Sequence, residues 1–193
     1  MPPGALNAPL FQSITQRLAA NGRCVVLDLG AAHTETLALL GKYHCRVEVG
    51  DLGDGIETLD YFDPEEEPKR VRERVEAALP RKRDEPIDLV LCWDILNYLK
   101  RPILATVMDC IAVRCRRGAL AHCLIYYSTP RMPARPGRFV PFDEQRLINL
   151  EDAPAERPAP RYTPEDLSLC MPRYTVERGR LLRNGMQEFL LRL

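Results

Sequence analysis

The most constraining feature of the sequence is a compact run of strand, turn, helix and strand near its N-terminus. Residues 24–27 form an apolar run with almost no alternation, which is typical of a strand buried on both faces. Residues 34–40 follow as a short helix that we expect Thr34 to cap and Gly41 to end. Residues 45–49 are the next strand. So short a βαβ unit predicts a pair of parallel strands.

The rest of the chain keeps alternating between helical and extended patterns. The other predicted elements are helices at residues 10–18, 71–79, 103–112 and 163–167, and strands at residues 87–93, 119–127, 174–177 and 187–191. The last two strands flank an Asn184-Gly185 turn, which indicates a hairpin. No strand is evident between residues 54 and 85. We therefore expect one α/β domain over residues 1–193, a Rossmann-like three-layer α/β/α sandwich with a mostly parallel sheet, a C-terminal antiparallel hairpin and a helical segment at residues 1–22.

One long segment, residues 128–161, does not fit this alternation. It is rich in proline and arginine, has an apolar stretch at 139–142 and shows no sustained period. Connections of this length are usually functional or disordered, so we expect either a lid over a substrate or a disordered connector. The arginines Arg131, Arg135 and Arg138 are candidates to meet an acidic substrate or to be solvated loop charges.

Composition narrows the class of protein and its partners. Lysine plus arginine, 27, equals aspartate plus glutamate, 27, so no net field favours nucleic acid. No apolar stretch has the length of a membrane span, and residues 1–5 lack the features of a signal peptide. The 7 cysteines show no spacing typical of zinc ligands. We expect a cytoplasmic protein with free thiols, no metal, no membrane contact and no nucleic-acid partner.

The turn after the first strand is the first candidate binding element. It reads Asp28-Leu29-Gly30-Ala31-Ala32, and ligands of open α/β sheets bind at such strand ends. Gly30 lets the backbone approach a ligand closely. The turn lacks the GxGxxG spacing that brings a dinucleotide pyrophosphate against a helix N-terminus. This difference argues against NAD and FAD.

Two further strand ends supply candidate side chains. Asp51 ends the second strand, where a Rossmann protein places the carboxylate that binds ribose hydroxyls, although turns of this composition also favour aspartate. Trp93 and Asp94 end the strand at residues 87–93. Both are expected to face the same crevice, with Asp94 also capping the short helix that follows and Trp93 open to a core role. His122 lies within an apolar strand and is interpreted as a buried core residue.

In the order of these elements the chain resembles the class I S-adenosylmethionine-dependent methyltransferases over residues 10–193. The resemblance implies a seven-stranded sheet, with residues 28–32 contacting the methionine part of the cofactor. It also implies that Asp51 binds the ribose and that Trp93 and Asp94 lie by the sulfonium. The family's glycine motif is degenerate here.

The departures from the family pattern leave two functions open. Ala32 and Thr34 occupy later glycine positions of the motif, and the acid that often follows the third strand has no match. The first function is a methyltransferase that binds S-adenosylmethionine through Asp28, Gly30, Ala32, Asp51, Trp93 and Asp94 and acts on a small molecule or a protein. Such a transfer depends on positioning and desolvation, so no catalytic residue is assigned. The second is a methyltransferase-like binding protein without catalysis. A nicotinamide-dependent enzyme is a more distant third.

Overall fold

The computed structural model describes residues 5–61, 63, 65, 67–150 and 155–193, which form both helices and strands. The helices are α1 (Pro9–Asn21), α2 (Thr34–Lys42), α3 (Ile56–Leu59), α4 (Pro68–Ala78), α5 (Arg101–Ala112) and α6 (Pro164–Cys170). The strands are β1 (Leu6–Asn7), β2 (Val25–Asp28), β3 (Arg46–Val49), β4 (Ile87–Trp93), β5 (Cys115–Tyr126), β6 (Arg131–Pro133), β7 (Phe139–Pro141), β8 (Arg146–Asn149), β9 (Glu156–Pro158), β10 (Thr175–Leu181) and β11 (Met186–Arg192). A 3₁₀ turn at Ile95–Tyr98 follows β4. Residues 1–4 of the expected helical segment at 1–22 lie outside the described part, as do residues 151–154 of the insertion, and α1 lies within the rest of that segment.

A six-stranded sheet forms the centre of the fold, in the order β10-β11-β5-β4-β2-β3. The β2–β3, β2–β4 and β4–β5 pairs are parallel, whereas β11 pairs antiparallel with both β5 and β10. The mostly parallel sheet with a C-terminal antiparallel hairpin is therefore confirmed. The resemblance implied seven strands, but in the described residues between β3 and β4 the chain forms α3 and α4 instead of a further strand.

Helices cover both faces of this sheet and complete the three-layer sandwich. On one face, apolar residues of α1 and α2 pack against β2 and β4. On the other face, α3, α4, α5 and α6 pack against the same strands and β5. The apolar run at residues 25–27 of β2 follows from this arrangement, because both faces of the strand are covered. In the described part of the chain, no helix is both long and apolar enough to cross a membrane.

The insertion at residues 128–161 contains regular structure, contrary to the absence of a period in its sequence. Strands β7 and β8 pair with each other, and β8 also pairs with β1 near the N-terminus. Strands β6 and β9 form a separate two-stranded ribbon. Phe139, Val140 and Leu147 are buried in these short strands. Strands of three or four residues are too short to show a period, and their partners are distant in sequence. The described residues of the insertion thus form short paired strands, and its role as a lid stays a prediction.

The ends of the first helix after β2 differ from the sequence expectation. His33, rather than Thr34, occupies the N-cap position of α2, with no capping bond from its side chain. The helix continues through Gly41 and ends at Lys42. His44 then takes the left-handed conformation, with φ of 55°, and its amide bonds to the carbonyl of Gly41. The turn that glycine usually provides is made here by histidine.

A buried polar pair joins the N-terminal helix to the sheet. His122 Nε2 lies 2.9 Å from Glu188 Oε1, and both side chains are fully buried. The carboxylate of Glu188 also accepts hydrogen bonds from the backbone amides of Leu10 and Phe11, at 2.9 and 2.7 Å. These amides lie in the first turn of α1, where a carboxylate is favoured. The interpretation of His122 as a core residue is confirmed, but no sequence pattern indicated its partner.

Candidate functional site

A cleft of about 380 Å³ opens at the carboxyl ends of β2, β3 and β4. The chain passes from β2 to β3, which pairs with one edge of β2, and then returns to β4, which pairs with the other edge. The cleft therefore lies at the point where the strand order reverses. The strand-end wall consists of residues 28–33, 50 and 93–94. Facing it is the strap, residues 133–139 of the insertion, of which residues 135–139 line the cleft. An acidic rim, defined by Asp51, Asp54 and Glu57, completes the lining.

Asp28 links two parts of the strand-end wall, the glycine turn after β2 and the end of β4. Its side chain is buried, and Oδ1 accepts hydrogen bonds from the Gly30 amide at 2.9 Å and from Trp93 Nε1 at 2.6 Å. Burial raises the pKa of Asp28 to about 6, and the two hydrogen bonds oppose that rise. Asp28 does not line the cleft. The carboxylate therefore positions Gly30 and Trp93, which do line it.

The close packing of neighbouring side chains requires a glycine at position 30. A Cβ placed on Gly30 would lie 2.9 Å from Trp93 Cδ1 and 3.3 Å from Asp28 Oδ1. The φ of Gly30 lies outside the left-handed region, so close packing rather than backbone conformation excludes a side chain. The sequence interpretation assigned this clearance to a ligand. The structure assigns part of it to the indole ring.

Trp93 belongs both to the core and to the cleft. Its side chain is only 3% exposed and packs beside the rings of Phe11 and His122, with centroids 6.1 and 6.4 Å away. It nevertheless lines the cleft. Its backbone has φ of 47°, a left-handed conformation that is uncommon for a bulky residue and often marks functional sites. The two sequence interpretations of Trp93 are thus compatible.

Asp51 lies at the mouth of the cleft with its side chain exposed. Its loop is tied to β2 by hydrogen bonds from the Gly50 amide to the Asp28 carbonyl, at 2.7 Å, and from the Asp51 amide to the Gly30 carbonyl, at 3.2 Å. The carboxylate of Asp51 has no hydrogen-bond or ion-pair partner among the described residues. It is therefore available to a ligand. Ala32, in contrast, is exposed and does not line the cleft, although Ala31 and His33 on either side of it do.

Asp94 attaches the strap to the sheet. It is fully buried, and Oδ2 accepts a hydrogen bond of 2.9 Å from the Gly137 amide. It occupies the N-cap position of the 3₁₀ turn, but its side chain makes no capping bond, so the predicted capping role is wrong. Burial raises the pKa of Asp94 to about 7, and the Gly137 amide opposes that rise. Asp94 does not itself line the cleft.

Sequence patterns indicated the insertion as a candidate lid and Arg135 and Arg138 as candidates to meet an acidic substrate, but they missed Asp54 and Glu57 of the acidic rim. The only local signal for the rim was a run of glycines and aspartates after β3, which is also a common turn composition. His33 was likewise missed, although its Nε2 atom is buried beside the cleft without a partner among the described residues. The strap reaches the site only through its fold, about 100 residues after Gly30 along the chain.

Comparisons with known proteins agree with this architecture at the level of structure. No protein-family model and no curated protein matches the sequence. One similar solved structure is 1,6-didemethyltoxoflavin-N1-methyltransferase of Burkholderia thailandensis with bound 1,6-didemethyltoxoflavin and S-adenosylhomocysteine. It is 19% identical, covers 94% of this chain and 77% of that chain, and has a TM-score of 0.51.

Two other methyltransferases are similar over most of both chains. The glycopeptide N-methyltransferase MtfA, complexed with S-adenosylhomocysteine, is 13% identical over 96% of this chain and 89% of that chain, with a TM-score of 0.53. The CcbJ methyltransferase from Streptomyces caelestis is 13% identical over 94% of this chain and 93% of that chain, also with a TM-score of 0.53. Together with the strand order, these likenesses show that this chain has the Rossmann-like fold of the class I S-adenosylmethionine-dependent methyltransferases.

Proposed function

We propose that this chain is an S-adenosylmethionine-dependent methyltransferase that acts on an unidentified small molecule or protein. The observation that carries the proposal is the cleft at the reversal of strand order, with Gly30, Asp51 and Trp93 on its walls. Ligands of open α/β sheets bind at this position. The fold shared with methyltransferases that hold S-adenosylhomocysteine supports the same ligand class.

The donor groups around the cleft fit the proposed cofactor. The free carboxylate of Asp51 suits two ribose hydroxyls, because each of its oxygens accepts hydrogen bonds. The acidic rim as a whole suits a ligand with positively charged sulfonium and ammonium groups. The unpartnered Nε2 of His33 offers one further polar contact. By the resemblance, Gly30 lies near the methionine part, and Trp93 and Asp94 lie near the sulfonium.

When bound, the cofactor supplies an electrophilic methyl group for an in-line displacement. The contribution of the protein is to orient the two reactants and to exclude water from between them. Trp93 and the strap suit the second task, because both are attached to the sheet by buried groups, Asp28 and Asp94. Neither task needs a proton-transfer residue, and we assign none.

Asp51→Ala tests the proposal directly. We expect calorimetry with S-adenosylmethionine and with S-adenosylhomocysteine to show a loss of binding of about 1.5–3 kcal/mol, because a charged hydrogen-bond acceptor is removed. The midpoint of thermal unfolding is expected to fall only slightly, since the side chain is exposed and unpartnered but the backbone has φ of 45°, which aspartate adopts more readily than alanine. Asp84→Ala, an exposed carboxylate in the loop before β4, is the matched control. Equal affinities for Asp51→Ala and wild type would remove Asp51 from the site.

A second candidate function is a methyltransferase-like binding protein without catalysis. The observation that favours it is the indole of Trp93, which packs against Gly30 and leaves less room beside the glycine turn. The same calorimetry separates the two candidates. A folded wild-type protein that binds neither cofactor nor product would support the binding protein and contradict the methyltransferase.

A further inference from the structure

The arginines of the insertion differ in whether their side chains are already paired. Arg131 pairs with Glu156, Arg146 pairs with Asp143, and the guanidinium of Arg157 lies over the ring of Tyr98. Arg135, in contrast, has no hydrogen-bond or ion-pair partner for its side chain within the part of the chain that the structure describes. It is exposed, and it lines the cleft.

The backbone that carries Arg135 is nevertheless fixed. The hydroxyl of Tyr98 donates to the carbonyl of Arg135 at 2.7 Å and to the carbonyl of Pro133 at 3.1 Å. Two residues further on, the Gly137 amide bonds to the buried Asp94. Prolines at 133 and 136 restrict the intervening chain. The Cα of Arg135 is thus held in place beside the cleft, while its guanidinium stays free to bind.

The charges around the cleft are segregated. The acidic rim, Asp51, Asp54 and Glu57, belongs to the loop and helix after β3, whereas Arg135 belongs to the strap. The three carboxylates, like Arg135, have no partners among the described residues. Unpaired charges of opposite sign in one cleft favour a ligand that carries both a cationic and an anionic group.

We propose that Arg135 is the binding residue for a carboxylate on a ligand in this cleft. The planar fork of guanidinium donors matches a carboxylate in a bidentate geometry. This inference rests on the proposed function, in which the carboxylate comes either from the amino-acid part of the methyl donor or from the methyl acceptor. Both sources present the same chemistry to Arg135.

Two ligands that differ only in the amino-acid part test the first source. S-adenosylhomocysteine carries the carboxylate, whereas 5′-methylthioadenosine keeps the nucleoside and the thioether without it. We expect Arg135→Ala to weaken binding of S-adenosylhomocysteine about tenfold and to leave 5′-methylthioadenosine unchanged. Arg135→Lys is expected to fall between Arg135→Ala and wild type, because it keeps the charge and loses the fork. Arg131→Ala, which alters a paired arginine outside the cleft, is the control and is expected to match wild type.

A second arm tests the methyl acceptor as the source. Benzoate and the uncharged benzamide are titrated into protein saturated with S-adenosylhomocysteine, for wild type and Arg135→Ala. Benzoate binding that exceeds benzamide binding, and that is lost in Arg135→Ala, would assign the carboxylate to the acceptor.

The outcomes separate this inference from the proposed function. Unchanged affinity of Arg135→Ala for S-adenosylhomocysteine, together with no Arg135-dependent binding of benzoate, would overturn the carboxylate site and leave the proposed function intact. An equal loss for S-adenosylhomocysteine and 5′-methylthioadenosine would also overturn it, because the effect would then be structural. A wild-type protein that binds neither nucleoside would refute the proposed function, and this inference with it.

Discussion

The two walls of the cleft satisfy their polar groups in opposite ways. On the strand-end wall, Asp28 is buried and accepts hydrogen bonds from Gly30 and Trp93, so its carboxylate is used within the protein. On the strap, the side chains of Tyr98 and Asp94 bond to backbone atoms of Arg135 and Gly137. The guanidinium of Arg135 is left without a partner among the described residues. The strand-end wall is thus fixed through a buried side chain of its own, whereas the strap is fixed through its own main-chain atoms.

Because of this difference, the groups that fix the cleft are distinct from the groups that are available to bind a ligand. Buried hydrogen bonds fix the strand-end wall but leave few groups there for a ligand, apart from Asp51 at its edge. The strap is fixed through its backbone, so its side chains remain available. We therefore expect changes to the strand-end wall to act mainly on stability. Changes to strap side chains are expected to act mainly on binding.

The largest effect is expected from the buried carboxyl of the strand-end wall. Asp28 has a pKa of about 6 in the folded protein, against about 4 in an unfolded chain. Between pH 4 and pH 6 the folded state therefore holds a proton that the unfolded state has lost. The contribution of Asp28 to the free energy of unfolding falls over this window, by about 3 kcal/mol in all. Asp28→Asn removes this titration.

Denaturant titrations at pH 4, 5, 6 and 7 measure this effect. Relative to wild type, Asp28→Asn is expected to gain about 3 kcal/mol as the pH rises from 4 to 7. Asp94→Asn is the comparison on the strap side, and its window is expected to extend to about pH 7, following the pKa of Asp94. Parallel pH profiles for wild type and Asp28→Asn would show that the strand-end wall does not hold a carboxyl with a raised pKa.

A smaller effect is expected from filling the contact between Gly30 and Trp93. Gly30→Ala places a Cβ 2.9 Å from a buried indole, and the resulting strain is expected to lower the free energy of unfolding by about 2 kcal/mol. Gly41→Ala is the matched control, because nothing lies within 4 Å of that position in α2, and it is expected to stabilise slightly. The fluorescence of Trp93, the single tryptophan of the chain, reports the packing change. A Gly30→Ala protein as stable as Gly41→Ala would contradict the close packing.

The smallest effect is expected at the attachment of the strap. Tyr98→Phe removes the hydroxyl that donates to the carbonyls of Pro133 and Arg135, and it is expected to cost about 1 kcal/mol. Hydrogen exchange at the Gly137 amide is expected to become faster, since the strap loses its hydrogen bonds to the Tyr98 hydroxyl. Tyr127→Phe is the control, because the structure gives its hydroxyl no partner among the described residues. Unchanged exchange at Gly137 in Tyr98→Phe would show that the hydroxyl does not hold the strap.

Local patterns were sufficient to predict most of the central sheet. The apolar run of β2 and the spacing to β3 predicted a parallel pair, and Asn184-Gly185 predicted the hairpin of β10 and β11. In that turn Gly185 has φ of 81°, and the Asn184 side chain accepts from the Met186 amide. These features depend on residues close together in the chain. Their physical causes, side-chain period and turn conformation, are therefore visible in the sequence.

Patterns of the same kind failed for the insertion and for the contacts of the candidate site. Strand β1 pairs with β8, about 140 residues away, and neither is long enough to show a period. The sequence placed Asp28 on a strand end but did not distinguish a carboxylate that binds a ligand from one that binds Trp93. That distinction depends on which side chains become buried together.

The sequence by itself thus determined the α/β class, the order along the chain of the helices and strands that form the parallel part of the sheet, and the position of Asp51 at a strand end. Each follows from local periodicity and from the rule that parallel strands end at one edge of their sheet. Tertiary structure alone decided that Trp93 packs on Gly30, that Glu188 joins His122 to α1, and that Asp94 bonds to the strap at Gly137. The physical reason is that packing and burial join residues far apart in the chain, and no local pattern records which of them meet.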